Sequence, residues 1–159
     1  MAQVKPFDWY EREMPVGIPG MKADSTEDVV DSFASEGGVN PGEPVIRGTN
    51  PEKQVKTAAS TEGASVIGIA VHTDKIPNAS GKYYEDGYEL PVMTFGDVYV
   101  AAGSDVAAGD EAALDKVSDA LAFVAKDATG DTTYRSALPD CHFLDNGSAG
   151  DIVRVRIRK

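Results

Sequence analysis

The sequence predicts an all-β domain, a compact barrel or sandwich of the jelly-roll or tulip-like kind, with an extended N-terminal arm. Three observations predict it. Turn-formers are numerous and scattered: 16 Gly and 9 Pro spread along 159 residues favour many short strands over a few long helices. Short apolar runs recur roughly every 8–12 residues with glycine turns between them, the spacing of sandwiches and barrels. The final run, Asp151–Arg158, alternates strictly, with Val153, Val155 and Ile157 on one face and Arg154, Arg156 and Arg158 on the other. At this length and 42% hydrophobic content, one domain can bury a core without staples.

Residues 1–24 read as a separate extended arm, and residues 25–159 as the β domain. The arm carries Phe7, Trp9, Tyr10, Met14, Val16, Ile18 and Met21 among Pro6, Pro15 and Pro19. Prolines at that spacing preclude a long helix. A polar tail would not carry such side chains, so the arm docks on its own barrel, a sister subunit or a foreign partner. Phe7, Trp9, Tyr10, Met14, Ile18 and Met21 are the candidate protein-interaction residues.

Strands are then expected at Val29–Ala34, Pro44–Thr49, Gln54–Thr57 and Val66–Val71, with turns at 37–42 and 50–51. Residues 72–88, holding Tyr83, Tyr84 and Tyr88, read as a loop or hairpin excursion. Leu90–Phe95 and Asp97–Ala101 are two strands, or one strand bent at Gly96. After a tight turn at Ala107–Asp110, residues 111–126 read as a hairpin. Two places resist: Leu114, Val117, Leu121 and Val124 fall at helical spacing, and Asp24–Asp28 could cap a short helix at Val29. Residues 126–140 read as a long connection.

The charge balance narrows the partners. Fifteen Lys and Arg against 26 Asp and Glu give a formal charge of −11, which repels phosphate backbones; nucleic acid is not an expected partner. The apolar run Val66–Val71 is far too short to span a membrane. The start, Met1–Pro6, lacks the apolar stretch of a secretory leader.

Little in the chain suggests chemistry. The glycine-rich phosphate loops, HExxH, GxSxG and CxxC are all missing from the sequence. Two distant histidines, His72 and His142, do not make a zinc site. The acidic clusters, Glu27-Asp28 with Asp31 and Glu85-Asp86, lack the spaced ligands of a calcium loop. The lone Cys141 adjoins His142, but strand alternation would point the two to opposite faces. No catalytic, metal or cofactor-binding residue is expected, and Cys141 reads as a small buried hydrophobe.

The order of the turn motifs carries one more reading. Ile18-Pro19-Gly20-Met21-Lys22-Ala23-Asp24-Ser25 precedes Val30-Asp31-Ser32-Phe33-Ala34-Ser35-Glu36-Gly37. Pro41-Gly42-Glu43-Pro44-Val45 and Gly48-Thr49-Asn50-Pro51-Glu52-Lys53-Gln54-Val55-Lys56 follow. Ile67–Val71, Gly96–Val100, Ala107–Asp110 and Ala149–Val155 complete the series. From about residue 15 to the C terminus this string resembles the structural cement (decoration) proteins of tailed phages. That resemblance implies a β-rich barrel or sandwich and no catalysis. It implies a place on the outer surface of the phage head, after synthesis in the host cytoplasm. Its partners would be the major capsid protein and itself, as a homodimer or homotrimer at a capsid symmetry axis. The 72–88 and 126–140 segments depart from the pattern and leave contact surfaces and oligomer size open. A tail or baseplate β-domain, or a small-molecule-binding barrel, are the other readings of such a fold.

Overall fold

The computed structural model describes residues 16–24, 27–73 and 81–159. Among them the chain forms β1 (Val29–Ser35), β2 (Pro44–Arg47), β3 (Gln54–Thr57), β4 (Gly68–Ala70), β5 (Glu89–Ala101), β6 (Glu111–Val117), β7 (Ala120–Ala125), β8 (Ser136–Phe143) and β9 (Ile152–Arg158). One turn of 3-10 helix, Gly63–Ser65, precedes β4. The all-β barrel predicted from turn spacing is borne out.

β5 organises the molecule. Its first half pairs with β1 on one edge and β4 on the other, so the order β1–β3–β2–β4–β5 closes on itself through the β1–β5 ladder. Its second half continues outward through β9, β8, β6 and β7. A parallel bridge from Ala102 to Phe123 on β7 brings that second arc back to the end of β5. Two barrel-like layers therefore share one 13-residue strand. It is a single strand turned at Gly96, whose φ of 136° is open to glycine and strained for other residues.

Strand alternation gives each layer its own core. Val45, Val55, Ala70, Leu90 and Val92 point into the closed ring around Tyr84, which is completely buried. Their neighbours Ile46, Ile69 and Met93 point the other way, into a second core with Leu114, Leu138, Phe143, Val155 and Ile157. Tyr84, assigned from sequence to a loop excursion, is thus the centre of the ring. Its hydroxyl donates to the Val71 carbonyl at 2.5 Å, so its polar tip is satisfied. Burial pushes its phenol above the usual tyrosine range.

Both helical readings give way to strands. Residues 111–126 are a hairpin, with Val117 paired to Ala120 across Ser118 and Asp119 at φ 50° and 64°, the two left-handed residues of a type I′ turn. Val29 opens β1 rather than a helix. The expected 126–140 connection is shorter than it reads, because β8 begins at Ser136.

Candidate functional site

Phe7, Trp9, Tyr10 and Met14 lie outside the described residues. Ile18 and Met21 lie within them and are exposed, at 43% and 38%, as is Val16 at 69%. These three flank a tight turn. Pro19 and Gly20 occupy its central positions, Met21 N–H donates to the Ile18 carbonyl at 3.0 Å, and Gly20 has φ 83°, the signature of a type II turn.

A second Pro-Gly turn sits directly against the first. Asn40–Glu43 repeats the geometry, with Glu43 N–H donating to the Asn40 carbonyl at 3.2 Å and Gly42 at φ 81°. A Cβ on Gly20 would lie 2.6 Å from Pro41 Cβ and 2.7 Å from the Gly42 nitrogen; a Cβ on Gly42 would lie 2.7 Å from Pro19 Cβ. Only glycine permits this approach. Glu43 holds the second turn, accepting from Asn40 N–H at 3.0 Å and from the Thr57 hydroxyl at 2.7 Å. Two motifs separated by twenty residues in the sequence are one contact in space.

From that contact the arm runs along β5. Gly20 N–H donates to the Tyr99 carbonyl, Tyr99 N–H to Met21 and Ala23 N–H to Asp97, at 2.7, 2.9 and 2.9 Å. Gly17 packs on the Tyr99 ring, where a Cβ would come within 2.7 Å. Val98 pairs with Lys22 on one side and Val155 on the other, just as Phe95 pairs with Val29 and Arg158. Residues 20–23 and β1 therefore follow the same edge of β5. The described end of the arm is docked on its own barrel.

The arginine face of β9 is also structural. Arg156 Nε and Nη2 donate to the two oxygens of buried Asp97, directly opposite on β5, at 2.7 and 2.8 Å. Arg154 grips Asp145 through Nε and Nη2, which holds that carboxyl below the usual carboxylate range. Arg158 lies over the Phe95 ring, 5.9 Å from its centroid. A stripe that reads as bare positive charge is spent on cross-strand ties. Neither partner is legible locally, because Asp97 lies 59 residues from Arg156 and Asp145 lies nine residues from Arg154, across the turn that leads into β9.

Cys141 and His142 occupy opposite faces of β8. Cys141 is fully buried in the second core, and His142 is exposed opposite Arg156. His72 packs edge-on against Tyr83 with ring centroids 5.3 Å apart. Burial pushes the Cys141 thiol up to about 12. A thiol that ionises less readily folded than unfolded contributes stability below the unfolded value of about 8.5, and that stability is lost as pH rises toward the folded value. The unfolding free energy from urea titrations should therefore fall with a slope of up to about 1.4 kcal/mol per pH unit above pH ~9, and Cys141→Ala should flatten the curve. Rapid labelling of Cys141 in the folded protein at neutral pH would contradict this burial. Among the described residues no three His, Cys, Asp or Glu side chains gather as a metal site would require.

The family model described as structural cement protein (E217 gp24/Pam3 gp6) matches residues 7–158. Among solved structures, a chain from the capsid of Myoviridae phage XM1 superposes with a TM-score of 0.71 at 17% identity, covering 94% of this chain and 95% of that one. The N base of the head fibre gp8.5 of bacteriophage phi29 gives a TM-score of 0.45 at 16% identity, covering 82% and 94%. A comparison with curated proteins finds no match.

Proposed function

We propose that this chain, which belongs to the phage structural cement protein family, seats on the outer face of the major-capsid-protein lattice and ties neighbouring subunits together without chemistry of its own. Its place in the phage head follows from the family. The observation supporting the tie is the root of the arm: stacked Pro-Gly turns and a ladder to β5 fix it to the strand that both layers share. Tension on residues before Gly17 would pass into the whole body rather than peel one loop. Phe7, Trp9, Tyr10, Met14, Ile18 and Met21 are the anchors this reading assigns to the neighbour. The proposed unit is a homo-oligomer, a dimer or trimer, since closed symmetric assemblies dominate.

The reading includes no catalytic step, because Cys141 is sealed in a core and its neighbouring histidine faces away. Adding the full chain and a version lacking residues 1–16 to shells assembled without it tests the proposal. The truncated chain should fold, since the described arm contacts begin at Gly17. It should bind at least about a hundredfold more weakly, one buried aromatic anchor alone contributing ~2 kcal/mol or more. Equal decoration and equal shell rupture temperature for the two would reduce the arm to a local strap. Full-length chain that leaves shells undecorated would end the cement reading itself.

A further inference from the structure

The connection from β8 to β9 holds the one Asn-Gly pair of the sequence, Asn146-Gly147; the other three asparagines precede Pro41, Pro51 and Ala79. In such a pair no side chain hinders the glycine nitrogen from reaching the asparagine side chain, because glycine lacks a Cβ. Attack of that nitrogen on Cγ closes a five-membered imide and expels ammonia. Water then opens the imide at either carbonyl, giving aspartate or its β-linked isomer, in which the main chain is one carbon longer. Both residues of the pair have a structural use here. A Cβ on Gly147 would lie 2.6 Å from Val153 Cγ1, so glycine is what leaves room for that buried side chain. Asn146 Oδ1 accepts the Ala108 N–H at 2.9 Å, which ties the Ala107–Asp110 turn to this connection.

We infer that Asn146 is a deamidation site held closed by two contacts of the fold, the Val106–Gly147 bridge and the Ala108 tie. Gly147 N–H donates to the Val106 carbonyl at 3.0 Å, and Val106 N–H donates to the Gly147 carbonyl at 2.9 Å. Cyclisation needs that same Gly147 nitrogen without its proton, and the Val106 carbonyl retains the proton while the bridge is formed. The tie restrains the other reactant, since Cγ is not free to swing toward the nitrogen while Oδ1 is bound to the neighbouring turn. Reaction therefore waits on local opening, and its rate falls by the fraction of time spent open. The outcome is one-way. The β-linked isomer sets Gly147 one main-chain carbon out of place, so the bridge cannot re-form as it was. Either product also adds a negative charge next to Asp145 and close to Asp151, whose Oδ2 would lie 3.6 Å from a Cβ on Gly147. The segment that loosens is the one that delivers β9, the strand joining the two layers. This inference goes beyond the cement reading and does not depend on it: it concerns how long the second layer keeps its geometry.

The test compares the full chain, folded and unfolded in guanidinium chloride, at one neutral pH and temperature. Peptide mapping by mass follows the conversion of residue 146 and separates aspartate from its β-linked isomer. The folded chain should react at least about a hundredfold more slowly, by a factor no smaller than the hydrogen-exchange protection of the Gly147 amide, since exchange and cyclisation both take the proton from one nitrogen. Ala108→Pro removes the tie alone. Position 108 is the second residue of a type II turn, with Asp110 N–H donating to the Ala107 carbonyl at 3.0 Å and Gly109 at φ 96°, and proline suits that position. The variant should keep the exchange protection of the β5–β9 ladder and convert residue 146 at least about tenfold faster than the parent. A folded chain that reacts as fast as the unfolded one would overturn the inference and mark the Ala108 N–H as an activating donor to Oδ1 instead. So would slow reaction beside an unprotected Gly147 amide, or an Ala108→Pro chain no faster than its parent.

Discussion

Asp115→Ala is expected to cost about 3–5 kcal/mol of folding stability, lowering the melting temperature by roughly 10 °C or more. Asp115 lies on β6 with its side chain 7% exposed, and Arg135, 9% exposed, is its partner. Arg135 Nε and Nη2 both reach Asp115 Oδ2 at 2.9 Å, and Nη1 donates to the Ala128 carbonyl at 2.5 Å. Removing the carboxylate leaves a buried guanidinium with one carbonyl for company, and the desolvation it suffered on folding goes uncompensated. The same arginine fixes the course of residues 128–135, because Ala128 packs on the second core. Replacing both partners, Asp115→Leu with Arg135→Met, should recover most of the loss, since no charge then remains buried. Urea unfolding of the single and double variants gives the coupling. A loss under about 1 kcal/mol for Asp115→Ala, the range of an exposed pair, would show that water reaches the site.

Gly20→Val is expected to spring the arm from the barrel. The new side chain would need a positive φ that costs a β-branched residue about 1–3 kcal/mol, and its Cβ would lie 2.6 Å from Pro41 Cβ. Overpacking adds about 1–3 kcal/mol, so undocking residues 16–23 becomes the cheaper outcome. Hydrogen exchange reads this directly. The Tyr99 and His72 amides, which donate to Met21 and Gly20, should lose protection, while Val100 inside the β5–β9 ladder keeps its own. Gly42→Val attacks the same contact from the other side. The pair of substitutions should therefore cost less than the sum of the two, as expected for residues sharing one contact. Full additivity, or unchanged protection at Tyr99, would show that the two turns do not depend on each other.

What could be read from sequence, and what could not, follows from the range of each signal. β9 was legible because seven residues alternate without interruption. β5 was legible to within its one ambiguity, since a glycine between two apolar runs marks either a turn or a bend. β8 was not legible. Leu138, Cys141 and Phe143 all face the core, but Asp140 sits at φ 60° and the β6–β8 register slips between Glu111 and Ala113. The extra residues put Leu138 and Cys141 three apart, and the period of two disappears. The helical spacing of Leu114, Val117, Leu121 and Val124 competed with the hairpin reading but carries no helix, because Val117 is exposed and the turn at Ser118-Asp119 folds the pattern back on itself. Tyr84 was misplaced because tyrosines amid glycines resemble a surface loop, and only the distant Val71 carbonyl reveals the inward hydroxyl. At the candidate site, the two Pro-Gly turns were each visible, but nothing local says that one stacks on the other. Ile18 and Met21 were singled out from composition as interaction residues, and both are exposed; the ion pairs of β9 needed the fold to bring Asp97 and Asp145 beside it.

The sharing of β5 has a consequence for the order in which the protein can be made. Val98 lies between Lys22, near the start of the chain, and Val155, near its end. Until β9 leaves the ribosome, the edge of β5 that it pairs with has no occupant there, and the second layer lacks the strand that joins it to the first. Pairings this distant in sequence form late and slowly. A nascent or truncated chain would expose bare strand edges of the kind that aggregate, whereas the completed chain closes both edges of β5 at once. Competence to join a particle is thereby expected to switch on only once β9 has been made, so that copies terminated before it are kept out of the shell by their failure to fold.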